Sequence, residues 1–136
     1  RDIKLPKELE LSQGHGKVSW SVRAAWELIT GWYYYDTVAN LYHVPETAIY
    51  ADLVEMVGGA DALAKRARKY LKKDEPLEAL RLLDIAAGNE TKKVLKVRIA
   101  ALEKLLAGAK AGLRNYSEIG LLEADLRTSR LRLKAM

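Results

Sequence analysis

Apolar side chains recur at steps of three and four residues along almost the whole 136-residue chain, and no segment alternates between apolar and polar residues. Steps of three and four place side chains on one face of an α-helix, whereas a half-buried strand needs a step of two. The pattern therefore predicts an all-α fold of five or six helices. A chain of this length is long enough for one domain with a hydrophobic core and short for two.

Each predicted helix has a stripe of side chains that we expect to be buried. The stripes are Val22, Ala25, Trp26 and Ile29 in the first helix; Ile49, Leu53, Met56 and Val57 in the second; Leu63, Ala67, Tyr70 and Leu71 in the third; Leu83 in the fourth; Leu95, Ile99, Leu102 and Leu106 in the fifth; and Ile119, Leu122, Leu126 and Leu133 in the sixth. The first stripe begins after Val18 and continues to Trp32 and Tyr33. Residues 1–17 show no sustained period and are predicted to form an extended arm or linker, leaving 18–136 as the helical domain.

Glycine, proline and short polar residues mark the ends of these predicted helices. Pro45 suits the first turn of the second helix, and Gly58 with Gly59 ends it, because glycine adopts the left-handed conformation without a Cβ clash. Asp74 is predicted to cap the fourth helix, and Gly108 and Gly112 are predicted to loosen the chain after the fifth.

The third to fifth predicted helices are joined by connections short enough to make them antiparallel neighbours. Alanine-bearing helices that meet at a tight acidic turn resemble tetratricopeptide hairpins, although no repeat of about 34 residues runs through the chain. The middle of the chain is therefore predicted to form tetratricopeptide-like hairpins. A freestanding scaffold or peptide-binding protein of this kind is one hypothesis for its function.

The charge of the chain is distributed unevenly. Up to Ala60 there are 5 basic and 8 acidic residues, and from Asp61 onward there are 18 basic and 10 acidic residues. A basic second half suggests an RNA-binding domain as a further hypothesis, but its charges of opposite sign alternate at helical spacing, as is typical of a solvated helix face. We therefore expect no nucleic-acid partner.

No sequence feature indicates a catalytic or metal site in this chain. The two histidines, His15 and His43, are far apart, and neither has a further ligand at the short spacing of a zinc site. Cysteine is absent, which excludes disulfides and thiolate nucleophiles. No apolar run approaches the roughly 20 residues that span a bilayer, so no membrane association is expected. The compartment stays open, and the lack of a signal sequence in these residues favours the cytoplasm.

The stretch GWYYYDTVANLY, from Gly31 to Tyr42, concentrates the aromatic residues of the chain. Stacking on nucleic-acid bases would require interleaved lysine or arginine, and Ala24 to Leu53 contains neither. Successive aromatic residues also point in different directions around a helix, so one core cannot cover all of them. The stretch therefore predicts an interface with another domain or subunit, where Trp and Tyr are enriched.

These segments together resemble the helical dimerisation domain of alkyl sulfatases, over about Leu5 to Arg127. The matching stretches are SVRAAWELITGWYYYDTVANLY, VPETAIYADLVEMVGGADALAKRARKYL, EPLEALRLLDIA and RNYSEIGLLEADLR, in the order that the family has them. The most specific of them is VEMVGGADALAKRAR. The chain differs from the family pattern in two places. Many sulfatases of the family have a histidine at the position that Trp20 is expected to match. YYYDTVA, from Tyr33 to Ala39, stands in place of the family's FDGNP turn.

The resemblance implies a non-catalytic module that forms a homodimer. Its partner would be a metallo-β-lactamase-like hydrolase domain, in the same parent protein or in a separate chain, that binds zinc and hydrolyses sulfate or related esters. No zinc ligand of that family lies in this chain, so zinc is expected only in the hydrolase domain. The resemblance also implies that Trp20, Arg23, Trp32 and Tyr33 face that domain or border its pocket. For Arg23 alone, an ion pair with Glu27 is an alternative, because the two residues are one helical turn apart.

Overall fold

The computed structural model describes residues 18–31, 37–42, 44–112 and 116–136, and within these ranges it contains six α-helices and no strand. The helices are α1 (Val18–Thr30), α2 (Tyr50–Met56), α3 (Ala60–Lys72), α4 (Pro76–Asp84), α5 (Lys92–Gly112) and α6 (Tyr116–Ala135), and two 3₁₀ segments, Val38–Leu41 and Glu46–Ile49, lie between α1 and α2. The predicted all-α fold is confirmed. The predicted arm, 1–17, lies outside the described residues, as do both histidines.

Helices α3 to α6 form the packed body of the described chain. Helix α4 packs against α3 and α5, α3 also contacts α5, and α6 packs along α5. Residues 73–75 join α3 to α4, and residues 85–91 join α4 to α5, so each helix runs antiparallel to the one before it. The likeness of these hairpins to tetratricopeptide repeats stays a prediction.

The buried core is rich in alanine. Six of the eleven residues in its main cluster are alanines, contributed by α3, by α4 with the turn after it, and by α5. Small side chains at the contacts let helix axes approach closely, because the distance between axes follows the size of the side chains between them. Leu83, Leu95 and Leu102 supply the largest fully buried side chains. The predicted stripes of α3, α5 and α6 are buried or half-buried and are confirmed.

Helices α2 and α3 end in the same hydrogen-bonded motif. After α2, Gly58 and Gly59 have φ of 83° and 102°, and their N–H groups donate to Glu55 and Val54. After α3, the N–H groups of Asp74 and Glu75 donate to the carbonyls of Leu71 and Tyr70, which is the Schellman arrangement. The predicted role of Asp74 as a cap of α4 is wrong. Asp74 has a φ of 66° and closes α3, a conformation that Asp tolerates better than most residues.

Helix α5 begins with a side-chain cap and continues through a predicted break. The Thr91 hydroxyl accepts a hydrogen bond from the Val94 N–H at 3.2 Å, satisfying a backbone donor that the helix leaves without a partner. The prediction that Gly108 loosens the chain is wrong, because α5 continues to Gly112. Packing along α6 holds this stretch helical at a glycine cost of about 1 kcal/mol.

The first two predicted helices have the predicted position but not the predicted burial. The segment from Pro45 divides into a 3₁₀ turn and the short α2, whose buried residue is Val54, while Ile49 and Met56 of the predicted stripe are exposed. Helix α1 ends at Thr30, and Gly31 follows with a φ of 76°, so the helix does not extend into the aromatic stretch. Helix α1 has no extensive packing against the other described elements.

Candidate interface surfaces

Helix α1 exposes apolar side chains around most of its circumference. At 3.6 residues per turn, the arc that starts at Trp20, passes Leu28 and Ile29 and ends at Trp26 covers about 240°. A surface helix of a globular protein usually has an apolar stripe only somewhat wider than about 100°. All four side chains are exposed, Leu28 at 87% and Ile29 at 82%. A helix with this pattern is expected to pack against other protein surfaces on more than one side.

Exposed large hydrophobic side chains also occur beyond α1, along both 3₁₀ segments and α2. We call this set the amino-terminal apolar surface, and its members are Trp20, Val22, Trp26, Leu28, Ile29, Val38, Leu41, Tyr42, Val44, Ile49, Met56 and Val57. Large exposed apolar patches on soluble proteins mark interaction sites. The rest of the described chain, which is longer, exposes only five large hydrophobic side chains.

Two of the four residues that the resemblance assigned to a domain interface lie on α1. Trp20 is partly exposed, and Arg23 lies nearby on the polar arc. The Nε atom of Arg23 donates to Oε1 of Glu27 at 2.8 Å, so the predicted ion pair is confirmed. Trp32 and Tyr33 fall outside the described residues, and the structure does not test their predicted role.

Arg98 joins three helices through its guanidinium group. Its Nη1 donates to Asp84 on α4 at 2.8 Å, and its Nη2 donates to Asp125 on α6 at 2.9 Å. The buried hydroxyl of Ser129 donates to the same Asp125 carboxylate at 3.3 Å. Burial acts to lower the pKa of Arg98, but the hydrogen bonds that its guanidinium donates to Asp125 and Asp84, together with their negative charge, outweigh burial and raise that pKa above its ordinary value. Sequence reasoning missed this cluster, although Arg98 interrupts an apolar stripe between Val94 and Leu102.

A second polar cluster fixes the start of α5 to the start of α3. Asp61 accepts a hydrogen bond from Lys93 Nζ at 2.7 Å and another from the Thr91 hydroxyl at 2.6 Å. These two hydrogen bonds, that from Lys93 first, lower the pKa of the Asp61 carboxyl. Since the Thr91 oxygen also caps α5, a single side chain links the helix start to its neighbour.

Four ion pairs bind α6 to α5 and to the turn before it. Their N–O distances are 2.6 Å for Lys110 and Glu123, 2.9 Å for Arg98 and Asp125, 2.7 Å for Arg130 and Glu103, and 3.0 Å for Arg132 and Glu90. The acids of α6 in these pairs lie in its first half and the bases in its second. The sequence positions of the paired residues are those of two antiparallel helices, since residues late in α5 pair early in α6 and residues before α5 pair late in α6.

A cleft of about 450 Å³ separates the Glu46–Ile49 segment and α2 from the end of α4. Its polar lining comes from Thr47, Tyr50, Arg81, Asp84 and Asn89. Asp84 is held by Arg98, and the described residues that line the cleft include no histidine or lysine.

Two further properties of the described ranges bear on metal binding and on membrane insertion. No group of three His, Cys, Asp or Glu side chains within residues 18–31, 37–42, 44–112 and 116–136 is placed to hold a metal ion. None of the helices in the same ranges combines the length and the apolarity needed to cross a bilayer.

The comparisons with known proteins point to one family. The family model for alkyl sulfatase dimerisation matches residues 1–122. The chain is also similar to a linear primary-alkylsulfatase from a Pseudomonas species, with 34% identity over 77 residues. That alignment covers 54% of this chain and 11% of the relative, so the chain corresponds to a small part of that protein's length. No solved structure matches the chain. Because the family model spans most of its residues, this chain belongs to the alkyl sulfatase dimerisation family.

Proposed function

We propose that this chain is the non-catalytic helical dimerisation module of an alkyl-sulfatase-like hydrolase of the metallo-β-lactamase superfamily. The reaction of the parent protein would be the zinc-dependent hydrolysis of sulfate or related esters. The linear primary-alkylsulfatase that resembles the chain supports the class of the parent. The observation that carries the dimerisation role is the exposed amino-terminal apolar surface.

The exposed apolar side chains of α1 carry a cost in free energy. Leaving a Leu, Ile or Trp side chain in water forgoes about 1.5 to 3 kcal/mol relative to burying it. Helix α1 leaves four of them exposed and has no extensive contact with the described body of the chain. Burying the amino-terminal apolar surface against another protein surface would therefore stabilise the chain, which supports a role in dimerisation.

We infer that the wide apolar arc of α1 contacts two partners, one on each side of the helix. Trp20 and Ile29 are nine residues apart and lie on opposite sides, since nine residues make two and a half turns. The side of Trp20 and Arg23 faces the hydrolase domain, and Trp32 and Tyr33 belong to that contact. The side of Ile29 faces the second copy. The exposed ion pair of Arg23 with Glu27 supports a structural role for Arg23 at this boundary.

Zinc in this proposal belongs to the hydrolase domain. The described residues offer no cluster that fits the metal, since their carboxylates converge on arginine or lysine rather than on one another. When bound in the parent, zinc would activate a water molecule for attack on the ester. What this chain contributes is the position of one hydrolase domain relative to the other.

The test is the mass of the particle in solution, measured by light scattering and native mass spectrometry on protein isolated from its source. We expect a two-fold particle that contains a zinc-bearing domain or chain. A single copy without such a partner would contradict the proposal and favour the freestanding scaffold. The matched variants are Ile29→Glu, which should dissociate the particle, and Leu77→Glu on α4, which should not. Circular dichroism of both variants checks that the helices remain folded.

A further inference from the structure

The outer face of α3 is a dense array of basic side chains. We call it the basic face of α3, and its six members, all exposed, are Lys65, Arg66, Arg68, Lys69, Lys72 and Lys73. At 100° per residue they span an arc of about 160°, and at 1.5 Å per residue they extend about 12 Å along the helix. The centre of this arc lies opposite the buried face of Leu63, Ala64 and Ala67.

None of these six cations forms an ion pair with a residue that the structure describes. The two acids that flank the array are held elsewhere, Asp61 by Lys93 and Asp74 by Lys104, each at 2.7 Å. Arg68 acts on Asp61 only through its charge. No acidic residue lies between Asp61 and Asp74 in the sequence. Alternating charges, the pattern expected along the second half of the chain, are therefore absent from α3.

Elsewhere in the packed body, many basic residues have partners. The bases of α5 and α6 that form ion pairs are Lys93, Arg98, Lys104, Lys110, Arg130 and Arg132. On α3, in contrast, each member of the basic face lies three or four residues from another member, a spacing at which like charges destabilise a helix. The helix dipole favours bases in the last turn, Lys69 and Lys72, but not Lys65 in the middle of the helix. An anionic partner that covers the basic face would remove this repulsion.

The composition of α3 argues against a nucleic acid as that partner. Residues 62–73 contain no serine, threonine, asparagine or glutamine, the side chains that join lysine and arginine in contacts to sugars and bases. Their one aromatic residue, Tyr70, is half-buried, and the guanidinium of Arg66 lies 5.8 Å from the centre of its ring. This ring is therefore not an open platform for base stacking.

Charge complementarity favours a lipid surface over a protein partner. A protein would have to present a matching array of unpaired carboxylates, whereas protein surfaces usually intersperse both signs. A layer of anionic lipid headgroups has one sign throughout. Clusters of four to eight basic residues on a helix are typical of segments that bind such a layer.

We propose that the basic face of α3 binds the surface of a bilayer that contains anionic phospholipid, with the helix lying parallel to the headgroups. Lysine and arginine on the flanks of the arc reach the same layer because their long stems carry the charge away from the helix. The sequence-based expectation of no membrane association rested on the lack of a long apolar run, which binding at the headgroup layer does not need. The proposal goes beyond the proposed function and does not depend on dimerisation.

The test is co-sedimentation of the protein with vesicles of equal parts of phosphatidylcholine and phosphatidylserine. The protein is used together with any domain or chain with which it is isolated. The variant of the basic face combines Lys65→Gln with Lys69→Gln, and the matched control on α6 combines Arg127→Gln with Lys134→Gln. Each pair removes two positive charges from exposed positions, one of them in the last turn of its helix. Circular dichroism checks that the helix content is unchanged.

The expected result is a loss of binding that is specific to the basic face. Each basic residue near an anionic bilayer strengthens binding about fivefold, so the α3 variant should bind about 25-fold more weakly and the α6 control should stay within about twofold of the original protein. Binding should also fall steeply as salt shortens the Debye length from about 10 Å at 0.1 M to about 3 Å at 1 M. Vesicles of phosphatidylcholine alone should bind little protein.

Four results would overturn the proposal. The first is no binding to the anionic vesicles, and the second is an equal loss in the two variants, which would assign binding to net charge. The third is equal binding to vesicles of phosphatidylcholine alone, which would assign it to apolar side chains. The fourth is displacement of the protein from the vesicles by polyuridylate at an equal concentration of anionic groups, which would favour a nucleic acid. The mass of the particle is the same in all four cases, so the dimerisation proposal is tested separately.

Discussion

Leu83→Ala gives the most direct test of the alanine-rich core. Leu83 is 1% exposed and belongs to the cluster formed by α3, α4 and α5. The change removes three buried carbon groups, which costs about 2.4 kcal/mol in transfer free energy at about 0.8 kcal/mol each. The cavity adds a further cost at about 24 cal/mol per Å³ of volume that the surroundings do not fill.

The surroundings of Leu83 decide how much of the cavity remains. Alanine side chains make up six of the eleven residues of the cluster, and they have no rotamers with which to fill the space. We therefore expect a loss of about 3 to 4 kcal/mol, near the middle of the range for buried leucines. The free energy of unfolding is measured by urea titration with circular dichroism, at two protein concentrations tenfold apart to separate unfolding from dissociation.

Leu77→Ala is the matched control, since Leu77 lies on the same helix and is 64% exposed. Its helix propensity change is the same, and its cost should stay within about 0.5 kcal/mol. Equal costs for the two variants would refute the assigned face of α4. If Leu83→Ala does not fold, Leu83→Met keeps the volume and should cost less than about 1.5 kcal/mol.

Three further predictions concern charges and backbone. Arg98→Ala should destabilise the fold by about 2 to 3 kcal/mol in urea titration, because it leaves two partly buried carboxylates without their cation. As a control, Arg130→Ala breaks an exposed ion pair and should cost less than about 1 kcal/mol. Equal costs for the two variants would contradict the role of the Arg98 cluster. The lowered pKa of Asp61 stabilises the folded state above the ordinary carboxyl value of 3.8, and this contribution is lost as pH falls through the folded pKa. Asp61→Asn should therefore lower the urea midpoint at pH 7, and the effect should shrink progressively as the pH falls below 3.8. An effect independent of pH would exclude this linkage. Gly59→Ala should destabilise the fold by about 1 to 3 kcal/mol, because the φ of Gly59 is 102°. Gly108→Ala, inside α5, should stabilise the fold by up to about 1 kcal/mol. Melting temperatures that shift in the same direction for both variants would contradict these conformations.

Helix existence was predictable because it depends on local pattern. The steps of three and four residues identified every α-helix of the described chain, and the glycine pair after α2 identified its end. Asp74 misled the prediction for a local reason as well. Aspartate favours both a helix cap and the left-handed conformation, and the Schellman bonds from α3 decided between them. Gly108 misled it because packing along α6 offsets a weak intrinsic preference.

Burial was predictable only where a stripe has a partner within the chain. The stripes of α3, α5 and α6 were correct because those helices pack on one another, and the stripe of α1 was not buried because no described helix covers it. The residues expected at a domain interface came from the family resemblance; Trp20 and Arg23 lie on this uncovered helix, and their role stays a prediction. The Arg98 cluster joins residues from three helices, and no local pattern contains that convergence.

The sequence by itself determined the all-α class, the order of the helices and the membership of a dimerisation family. These features follow from residue type and spacing, which act through local conformation. Only the tertiary structure decided which apolar faces the chain buries and which it leaves exposed. That choice depends on which helices pack on one another, and the amino-terminal apolar surface lies outside the packing of α3 to α6.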